Sequence, residues 1–483
     1  MKKKSLGINA ALNGIRSILN ILFPLITFPY ISRVLSVTGV GINNFSSTYV
    51  QYFVLIAQLG VSNYAVREGA KYRENLPKIN KFANEVFTIN IFSTLLAYIL
   101  LIVTLLIFKN LQNYFSCILI YSLQVVFTTL GTEWIYVIYE DFRYITIRSI
   151  VFNVLSIIFL FLFVRNENDY LIYAGISVFA TVGSNILNYL HAKTFINIRF
   201  VKNVHIQTHL KPILILFASE VSSTIYMSCD NTILGLLKSD YAVGIYGLSV
   251  KIYTAVKTII SALVMVTIPR LSMYYGQRNI EKYKEVFSSM INYLVFLALP
   301  ATTGLFMLSK SIVLILGSKK YIPSILSLRI IVFATLFSIF SWVISACVLI
   351  PSKREKYILK STIIASIVNI SLNFIFIPIG SYNAAALVTV ISEIVSLIIN
   401  FYYGKDIVKD IIYSKKLFKN LFSSFLGCIG IVISCLALQE IIKNNFLLIV
   451  VCVFVSVAVY IVILLMLRNK IILNILSNIK EKI

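Results

Sequence analysis

The sequence predicts an all-α, polytopic membrane protein with about 14 transmembrane helices. Of its 483 residues, 59% are hydrophobic and only 13% are charged, and the mean hydropathy is +0.88. Soluble globular domains average roughly 45–50% apolar and about 25% charged residues. A helix that crosses a bilayer needs about 20 apolar residues, so the chain has room for many spans joined by short loops. A large extramembrane domain is excluded, because only short polar stretches interrupt the apolar runs.

Each predicted span is an apolar run bounded by charged or polar loop residues. The first run follows the basic start MKKKS. We interpret it as a retained span, because Arg16 interrupts it and no small-residue cleavage site follows. Later runs end at charged loops such as REGAKYRENLPK and PSKREK. The predicted spans are 9–32, 41–63, 84–108, 114–137, 146–164, 171–190, 212–237, 244–268, 286–309, 325–350, 358–378, 383–403, 421–439 and 446–467.

The basic residues indicate how the spans are oriented, because short loops rich in Lys and Arg stay in the cytoplasm. With the amino terminus inside, most of the 43 Lys and Arg fall in cytoplasmic segments. The predicted outside loops hold only Arg33, Lys109, Arg165, Lys238, Lys310, Lys319, Lys320 and Lys443. We therefore expect a multi-pass protein of the bacterial cytoplasmic membrane with both termini in the cytoplasm. The net charge of +24 is explained in this way and indicates no nucleic-acid partner.

An internal repeat predicts two related halves. VGINNFSSTY at 40–49 recurs as VGIYGLSVKI at 243–252, and the same offset relates Arg67 to Arg270. A duplication would give two pseudo-symmetric lobes of six helices, 1–205 and 206–403. Two further helices and a cytoplasmic tail would occupy 404–483. Transporters built from parallel repeats place their substrate path between the halves.

Side chains suited to metal or enzymatic chemistry are sparse. The six cysteines lie in apolar spans without paired ligand spacing, which indicates packing. His191, His205 and His209 share one predicted cytoplasmic loop, and the last two are four residues apart, which could place them on one helical face. No third metal ligand lies near that pair, so we interpret the histidines as solvated loop residues. Neither G-x-x-x-x-G-K-[ST] nor a G-x-G-x-x-G after a strand occurs. We predict no enzymatic activity, no metal site and no bound cofactor.

Charged residues inside the spans are the first indication of a functional site. At the centre of a lipid-facing helix each would cost about 2.5–3.5 kcal/mol. The basic ones are Arg16, Lys251, Lys257 and Arg329, and the acidic ones are Glu133, Glu220, Asp230 and Glu393. Arg329 and Glu133 lie nearest to helix ends and could reach the interface. We expect the others to face protein or a water-filled cavity.

Polar neighbours extend these charges into stripes, because residues three and four apart share a helix face. The stripes are Asn9, Asn13, Arg16 and Asn20 in the first span; Lys251, Thr254, Lys257, Thr258 and Ser261 in the eighth; and Thr389, Glu393, Ser396 and Asn400 in the twelfth. Two interpretations stay open. The stripes either form polar contacts between packed helices, or line a passage whose Lys and Arg bind an anionic ligand such as a phosphate.

Three segments resemble a known family. Bacterial Wzx-type oligosaccharide-repeat flippases, of the multidrug/oligosaccharidyl-lipid/polysaccharide (MOP) exporter superfamily, have an opening signature similar to FPLITFPYISRVLSVTGVGINNFSSTYVQYFVLIAQLGVSNYAVREGAKYRE. Their fourth-to-fifth span junction resembles EWIYVIYEDFRYITIRSI, and their seventh-to-eighth resembles DNTILGLLKSDYAVGIYGLSVKI. In span count and loop placement the resemblance covers essentially the whole chain, although its motifs are merely compositional after about residue 400.

The resemblance implies a transporter that moves undecaprenyl-pyrophosphate-linked oligosaccharide repeat units from the inner to the outer leaflet. Two lobes that open alternately would carry out this step of O-antigen or capsule synthesis. Asp230 and Lys251 stand at family-like motif positions. The partners implied are the lipid-linked oligosaccharide, membrane lipid, a polysaccharide polymerase and a chain-length regulator.

Residue type and spacing add a mechanism to this resemblance. We expect Arg16, Lys251 and Lys257 to hold the pyrophosphate by charge-assisted hydrogen bonds, and Asn13 and Asn20 to line the sugar cavity. Net transport in one direction also needs a source of free energy. Glu220, Asp230 or Glu393 would supply it by binding H⁺ or Na⁺, and removal of the product on the outer side is equally compatible.

Three other classes of protein fit the sequence less well. A multidrug-type, cation-coupled exporter of the same superfamily would share the fold but would prefer an acidic cavity for cationic drugs. A membrane polymerase or glycosyltransferase would need a sizeable loop or a clustered acid/base site, and the longest predicted outside loop, about 310–324, has neither. A membrane scaffold needs no charges inside its spans.

Overall fold

The computed structural model describes residue 19, residues 23–265 and residues 267–474. This part of the chain is helical apart from turns and connecting segments, and it contains no β-strand. Eleven of its helices are long and apolar enough to cross a membrane. The predicted all-α, polytopic class is therefore confirmed, while the number of spans stays a prediction.

The helices fall into two compact units, Met1–Gly244 and Ile245–Ile483. Helix α10 begins at the end of the first unit and continues into the second, and the predicted boundaries at 205 and 403 stay predictions. The first unit contains α1 (23–34), α2 (Val37–Gln58), α3 (Val61–Gly69), α4 (Leu76–Ile107), α5 (Phe115–Gly131), α6 (Glu133–Ile138), α7 (Phe142–Phe163), α8 (Tyr170–Ala192), α9 (Ile206–Leu237) and the start of α10 (Asp240–Met265).

The second unit contains the rest of α10 and the remaining long helices. These are α11 (Ile268–Gly276), α12 (Ile280–Met307), α13 (Ser309–Leu316), α14 (Ser324–Ile344) with a π-helical continuation at Ser345–Leu349, α15 (Glu355–Ile412), α16 (Lys415–Ile441) and α17 (Asn445–Met466).

Helix α15 has 58 residues, far more than one crossing requires. Its helical path is broken at Ser381, which has φ 50° and ψ −135° and follows Pro378 and Gly380. Proline removes a backbone donor and clashes with the preceding turn, so a break beside it is expected. The break falls between the predicted spans 358–378 and 383–403, so hydropathy correctly separated the two halves of this helix.

The helix starts follow capping signals in the sequence. Ser36 accepts a hydrogen bond from the Gly39 N–H at 3.0 Å, and Asn75 accepts one from Lys78 at 3.1 Å. Helix α4 nevertheless starts at Leu76, well before residue 84, where the apolar run begins. A polar sequence with good caps continues a helix into water, because the helix itself satisfies the backbone groups. Hydropathy locates the membrane-embedded part of such a helix and misses its polar first turns.

The order of helices supports the internal repeat. In the first unit the long helix α2 leads through the nine-residue α3 to the long α4. Beginning with α10, the second half of the chain has the same order, with the nine-residue α11 between α10 and α12. Arg67 lies in α3 and Arg270 in α11, so the repeat-related arginines occupy corresponding short helices.

Two repeat-related glycines allow α2 to touch the first turn of α10 within the first unit. A Cβ on Gly41 would lie 1.7 Å from the carbonyl oxygen of Asp240, and one on Gly244 would lie 2.3 Å from that of Val37. The neighbour in each case is backbone, which has little freedom to move aside. Only glycine permits these two approaches.

Gly41→Val should therefore destabilise the protein by about 1–3 kcal/mol through overpacking. The thermal midpoint of the purified protein in detergent would measure the loss. Gly175→Val is the matched control, because nothing lies within 4 Å of a Cβ at Gly175 in α8. Equal midpoints for the two variants would contradict the close packing of α2 on α10.

The prediction that the three histidines are solvated loop residues is wrong for two of them. His191 belongs to α8 and stacks on Tyr144 with ring centroids 4.0 Å apart. His209 is buried in α9, where its Nε2 lies 2.7 Å from Glu85 Oε2 and its Nδ1 lies 2.6 Å from the Tyr64 hydroxyl. His205 remains largely exposed, with its Nδ1 3.0 Å from the other oxygen of Glu85.

Glu85 lies more than a hundred residues before the two histidines, so local sequence could not reveal this cluster. Its carboxylate is occupied by both imidazoles, and in the described residues no group of three His, Cys, Asp or Glu side chains is arranged to hold a metal ion. The cluster joins α4 to the start of α9. Tyr64 links it to α3.

Candidate functional site

The sequence-predicted site residues divide between the two units. Arg16, Asn13 and Asn20 lie outside the residues that the structure describes. Glu220 and Asp230 lie on α9 in the first unit, and Lys251, Lys257 and Glu393 lie in the second. The geometry of the site is therefore described from the residues on α9, α10 and α15.

Lys257 and Glu393 form an ion pair inside the second unit. The ammonium nitrogen of Lys257 lies 3.3 Å from Glu393 Oε1 and 3.3 Å from the Tyr253 hydroxyl oxygen. Tyr253 in turn donates to Glu393 Oε1 at 3.2 Å. The Glu393 side chain is only 7% exposed, whereas that of Lys257 is 30% exposed. The carboxylate is thus enclosed by protein, whereas part of the lysine side chain reaches the surface.

The helical repeat explains why these side chains meet. Tyr253 and Lys257 are four residues apart on α10 and share one of its faces, as Thr389 and Glu393 do on α15. Farther along the contact between the two helices, the Tyr246 hydroxyl lies 3.0 Å from Thr389 Oγ1. Glu393 is therefore the acid that pairs with Lys257.

The other half of the α15 stripe makes contacts between packed helices. Ser396 Oγ lies 2.8 Å from Ser341 Oγ of α14. The Asn400 amide donates to Ser341 Oγ and to Ser345 Oγ, each at 2.9 Å. For Ser396 and Asn400 the polar-contact interpretation of the stripe fits these distances, since their polar groups are directed at neighbouring helices.

Lys251 provides a second amine on α10. It is half-buried and precedes Lys257 by six residues, or about 9 Å along the helix axis. A pyrophosphate carries more than one negative charge and could be approached by both amines. Six residues also correspond to a rotation of about 120° around the helix axis, so the two lysines lie at opposite edges of the polar stripe on α10.

An apolar groove of about 550 Å³ lies beside this helix in the second unit. Its walls come mainly from α12 and α17, including Phe296, Leu305 and Val453, and Val256 of α10 also lines it. Val256 is the neighbour of Lys257 in the chain. The second unit therefore carries basic side chains and an apolar groove on the same helix.

The acids of α9 have different surroundings in the first unit. Glu220 Oε1 accepts a hydrogen bond from the Asn63 amide at 2.6 Å. Asp230 is buried, with Cys229 Sγ 3.7 Å from its Oδ1. Two residues along, Thr232 Oγ1 lies 2.9 Å from the Tyr52 hydroxyl of α2. The roles of both acids in ion coupling stay predictions.

Sequence reasoning missed Tyr253, which bridges the ion pair. A signal was present, because Tyr253 stands one turn before Lys257 and within the polar stripe of the eighth span. The predicted stripe consists of Lys, Thr and Ser residues and omits this tyrosine. An aromatic residue inside a span is ordinarily a packing residue, and only the position of Glu393 distinguishes it.

Comparisons with known proteins decide the family. A family model described as polysaccharide biosynthesis protein matches residues 6–275, more than half of the chain. The chain belongs to this family. A second model, MatE, matches residues 214–375. With the relatives below, which are named as transporters and not as enzymes, these matches confirm the resemblance to the Wzx-type family of the MOP superfamily.

Two relatives share the name "Putative O-antigen transporter". One, from Shigella dysenteriae, is 25% identical over 358 residues, covering 73% of this chain and 88% of its own. The other, from Escherichia coli (strain K12), is 22% identical over 265 residues, which are 52% of this chain and 61% of its own.

Solved structures show the same fold at lower identity. The lipid II flippase MurJ in an inward closed conformation superposes with a TM-score of 0.75 at 18% identity, covering 96% of this chain and 99% of that one. An inward-facing multidrug resistance MATE family transporter of the MOP superfamily has a TM-score of 0.62 at 15% identity, with 83% and 96% covered.

Proposed function

We propose that this protein moves undecaprenyl-pyrophosphate-linked oligosaccharide repeat units from the inner to the outer leaflet of the cytoplasmic membrane by alternating access. The transported units would serve the synthesis of a surface polysaccharide such as O-antigen or capsule. The observation that carries this proposal is the ion pair between the partly exposed Lys257 side chain and the buried Glu393, on a helix whose Val256 lines an apolar groove. A lipid-linked pyrophosphate combines the two chemistries that such a site accommodates.

The parts of the substrate can be assigned to different side chains. Lys251 and Lys257, with Arg16, would bind the pyrophosphate, because charge-assisted hydrogen bonds are strong where water is excluded. Asn13 and Asn20 would bind sugar hydroxyl groups. The apolar groove beside α10 matches the isoprenoid tail in chemistry. No part of this assignment requires a bound cofactor.

Net movement needs a source of free energy. Glu220, Asp230 and Glu393 are the acids available for binding H⁺ or Na⁺, and Glu393 is paired with the ammonium group of Lys257. Release of Lys257 to the substrate phosphate would leave Glu393 free to take up a proton. Polymerisation of the product on the outer side, by a polysaccharide polymerase working with a chain-length regulator, would bias transport equally well.

The deciding experiment is transport of one defined lipid-linked oligosaccharide in proteoliposomes. We expect sugars presented on one leaflet to become accessible to an impermeant glycosidase on the other, at a rate that depends on the protein. The multidrug-type alternative is favoured by the MatE match over residues 214–375. It predicts uptake of an organic cation such as ethidium and no movement of the lipid-linked sugar, and that pair of results would contradict the proposal.

The proposed orientation gives a separate prediction. Cysteines introduced at Asn168 and next to Tyr382 should react with an impermeant thiol reagent from outside the cell, and one at Lys202 should not. The six native cysteines are buried, so they add little background labelling. Detection of the two termini on opposite sides of the membrane would contradict an even number of spans.

A further inference from the structure

A polar cavity of about 200 Å³ lies inside the first unit, away from the site on α10 and α15. Helices α2, α4, α5, α6 and α8 contribute to it, as does the start of α3. Its walls include the side chains of Gln58, Ser62, Thr128, Glu133, Trp134 and Asn185. The cavity is too large for a single ordered water, which occupies roughly 30 Å³ of liquid.

A break between two helices helps to create this cavity. Helix α5 ends at Gly131 and α6 begins at Glu133, with Thr132 between them in a left-handed conformation at φ 41° and ψ 37°. The Asn185 side chain of α8 packs against Gly131, where a Cβ would lie 2.4 Å from Asn185 Oδ1. Because Gly131 has no side chain, the Asn185 amide can reach the cavity wall at the point where the helix is interrupted.

Many polar groups on the wall lack a protein partner. The side chains of Gln58, Ser62, Thr128, Trp134 and Asn185 form no hydrogen bond with another residue in the described part of the chain. Trp134 is 4% exposed and Asn185 is 8% exposed. Leaving the polar groups of these two buried side chains unpaired costs about 1–3 kcal/mol each, whereas Gln58 and Thr128 are half-buried and Ser62 is exposed. Water or a ligand is therefore needed to satisfy this wall.

The charge on the wall is already balanced. Glu133 Oε2 lies 3.9 Å from a guanidinium nitrogen of Arg148, which also donates to the carbonyl oxygen of Ser184 at 3.0 Å. A metal cation would therefore compete with an arginine for the carboxylate. The remaining groups are neutral amides, hydroxyl groups and an indole. Such groups pair well with a neutral ligand that carries several hydroxyl groups.

We infer that this cavity is a saccharide site. This inference rests on the proposed function, and in it the cavity binds one sugar ring of the transported repeat unit. Gln58 and Asn185 supply both donors and acceptors, Thr128 and Ser62 supply hydroxyl groups, and the indole N–H of Trp134 supplies a further donor. The site lies in a different unit from Lys257, so it would recognise the sugars separately from the pyrophosphate.

Trp134 offers a direct measurement of sugar binding. The chain has two tryptophans, Trp134 and Trp342, and Trp342 lies on α14 in the second unit. Trp342→Phe leaves Trp134 as the only tryptophan. In nanodiscs, we expect the emission of this variant to change saturably when free hexoses or N-acetylhexosamines are added in the millimolar range, the range typical of weak single-ring binding.

Two nearly isosteric substitutions test the wall in this background. Gln58→Leu and Thr128→Val should each weaken sugar binding by about tenfold, because a hydrogen-bonding partner of the sugar is lost. Gln51→Leu is the matched control on the same helix, where the side chain is exposed and outside the cavity. It should bind sugars like the unsubstituted chain.

Three outcomes would overturn the inference. They are the absence of a saturable response to any sugar, a saturable response to NaCl instead of sugar, and unchanged binding in both wall variants. The proteoliposome assay keeps this test separate from the proposed function. Transport without sugar binding at Trp134 would remove the saccharide site alone. Sugar binding without transport of any lipid-linked oligosaccharide would remove the proposed function.

Discussion

Replacement of Lys257 by alanine is expected to abolish transport of the lipid-linked oligosaccharide while the protein still inserts into the membrane. The Lys257 side chain is 30% exposed and lies on the helix whose Val256 lines the apolar groove, so the variant loses the cation that would bind the pyrophosphate. Lys257→Arg should retain part of the activity, because the charge survives although its geometry changes. Surface glycan in cells and transport in proteoliposomes would measure both variants.

The ion pair with Glu393 provides an internal control for this result. If Lys257 served only to hold the fold, Lys257→Ala would leave a buried carboxylate unpaired, at a cost of about 3–5 kcal/mol. Adding Glu393→Gln would then restore both protein abundance and export. In our proposal the double variant restores abundance without export. Normal export by a stable Lys257→Ala protein would contradict both roles for the lysine.

Lys284→Ala is the matched control for loss of an amine from a pair. Lys284 lies 2.6 Å from Asp410, but both side chains are substantially exposed. Exposed pairs contribute about 0–1 kcal/mol. We therefore expect near-normal abundance and export from this variant.

His209→Leu should cause the largest loss of stability among the histidine variants. His209 and Glu85 are each 7% exposed on the side chain, and the substitution removes the imidazole from both Glu85 and the Tyr64 hydroxyl. Breaking a buried pair in this way costs about 3–5 kcal/mol. The thermal midpoint in detergent and the abundance in membranes would measure the effect.

His205→Leu is the control for this prediction, because His205 contacts the same carboxylate from an exposed position. Its side chain is 64% exposed, so the loss should stay below about 1 kcal/mol. Glu85→Gln keeps hydrogen-bonding capacity and should fall between the two. Similar midpoints for the His209 and His205 variants would show that the buried pair contributes no more than the exposed one.

The sequence by itself determined the class of the protein and the position of most helices. Hydropathy is a local property, so apolar runs located the membrane-embedded part of each helix and separated the two halves of α15 at Ser381. Family motifs quoted from the first 270 residues coincide with the segment matched by the polysaccharide biosynthesis family model. Charge and spacing also singled out Lys257 and Glu393, although on separate helices.

Only the tertiary structure decided which side chains meet. Lys257 is joined to Glu393 across 136 residues of chain, and His209 to Glu85 across 124. The same polar stripe on α15 contacts α10 through Glu393 and α14 through Asn400, and periodicity cannot distinguish these two uses. The reason is physical. Periodicity fixes which residues share a helix face, whereas the rotation and crossing of packed helices determine what that face contacts.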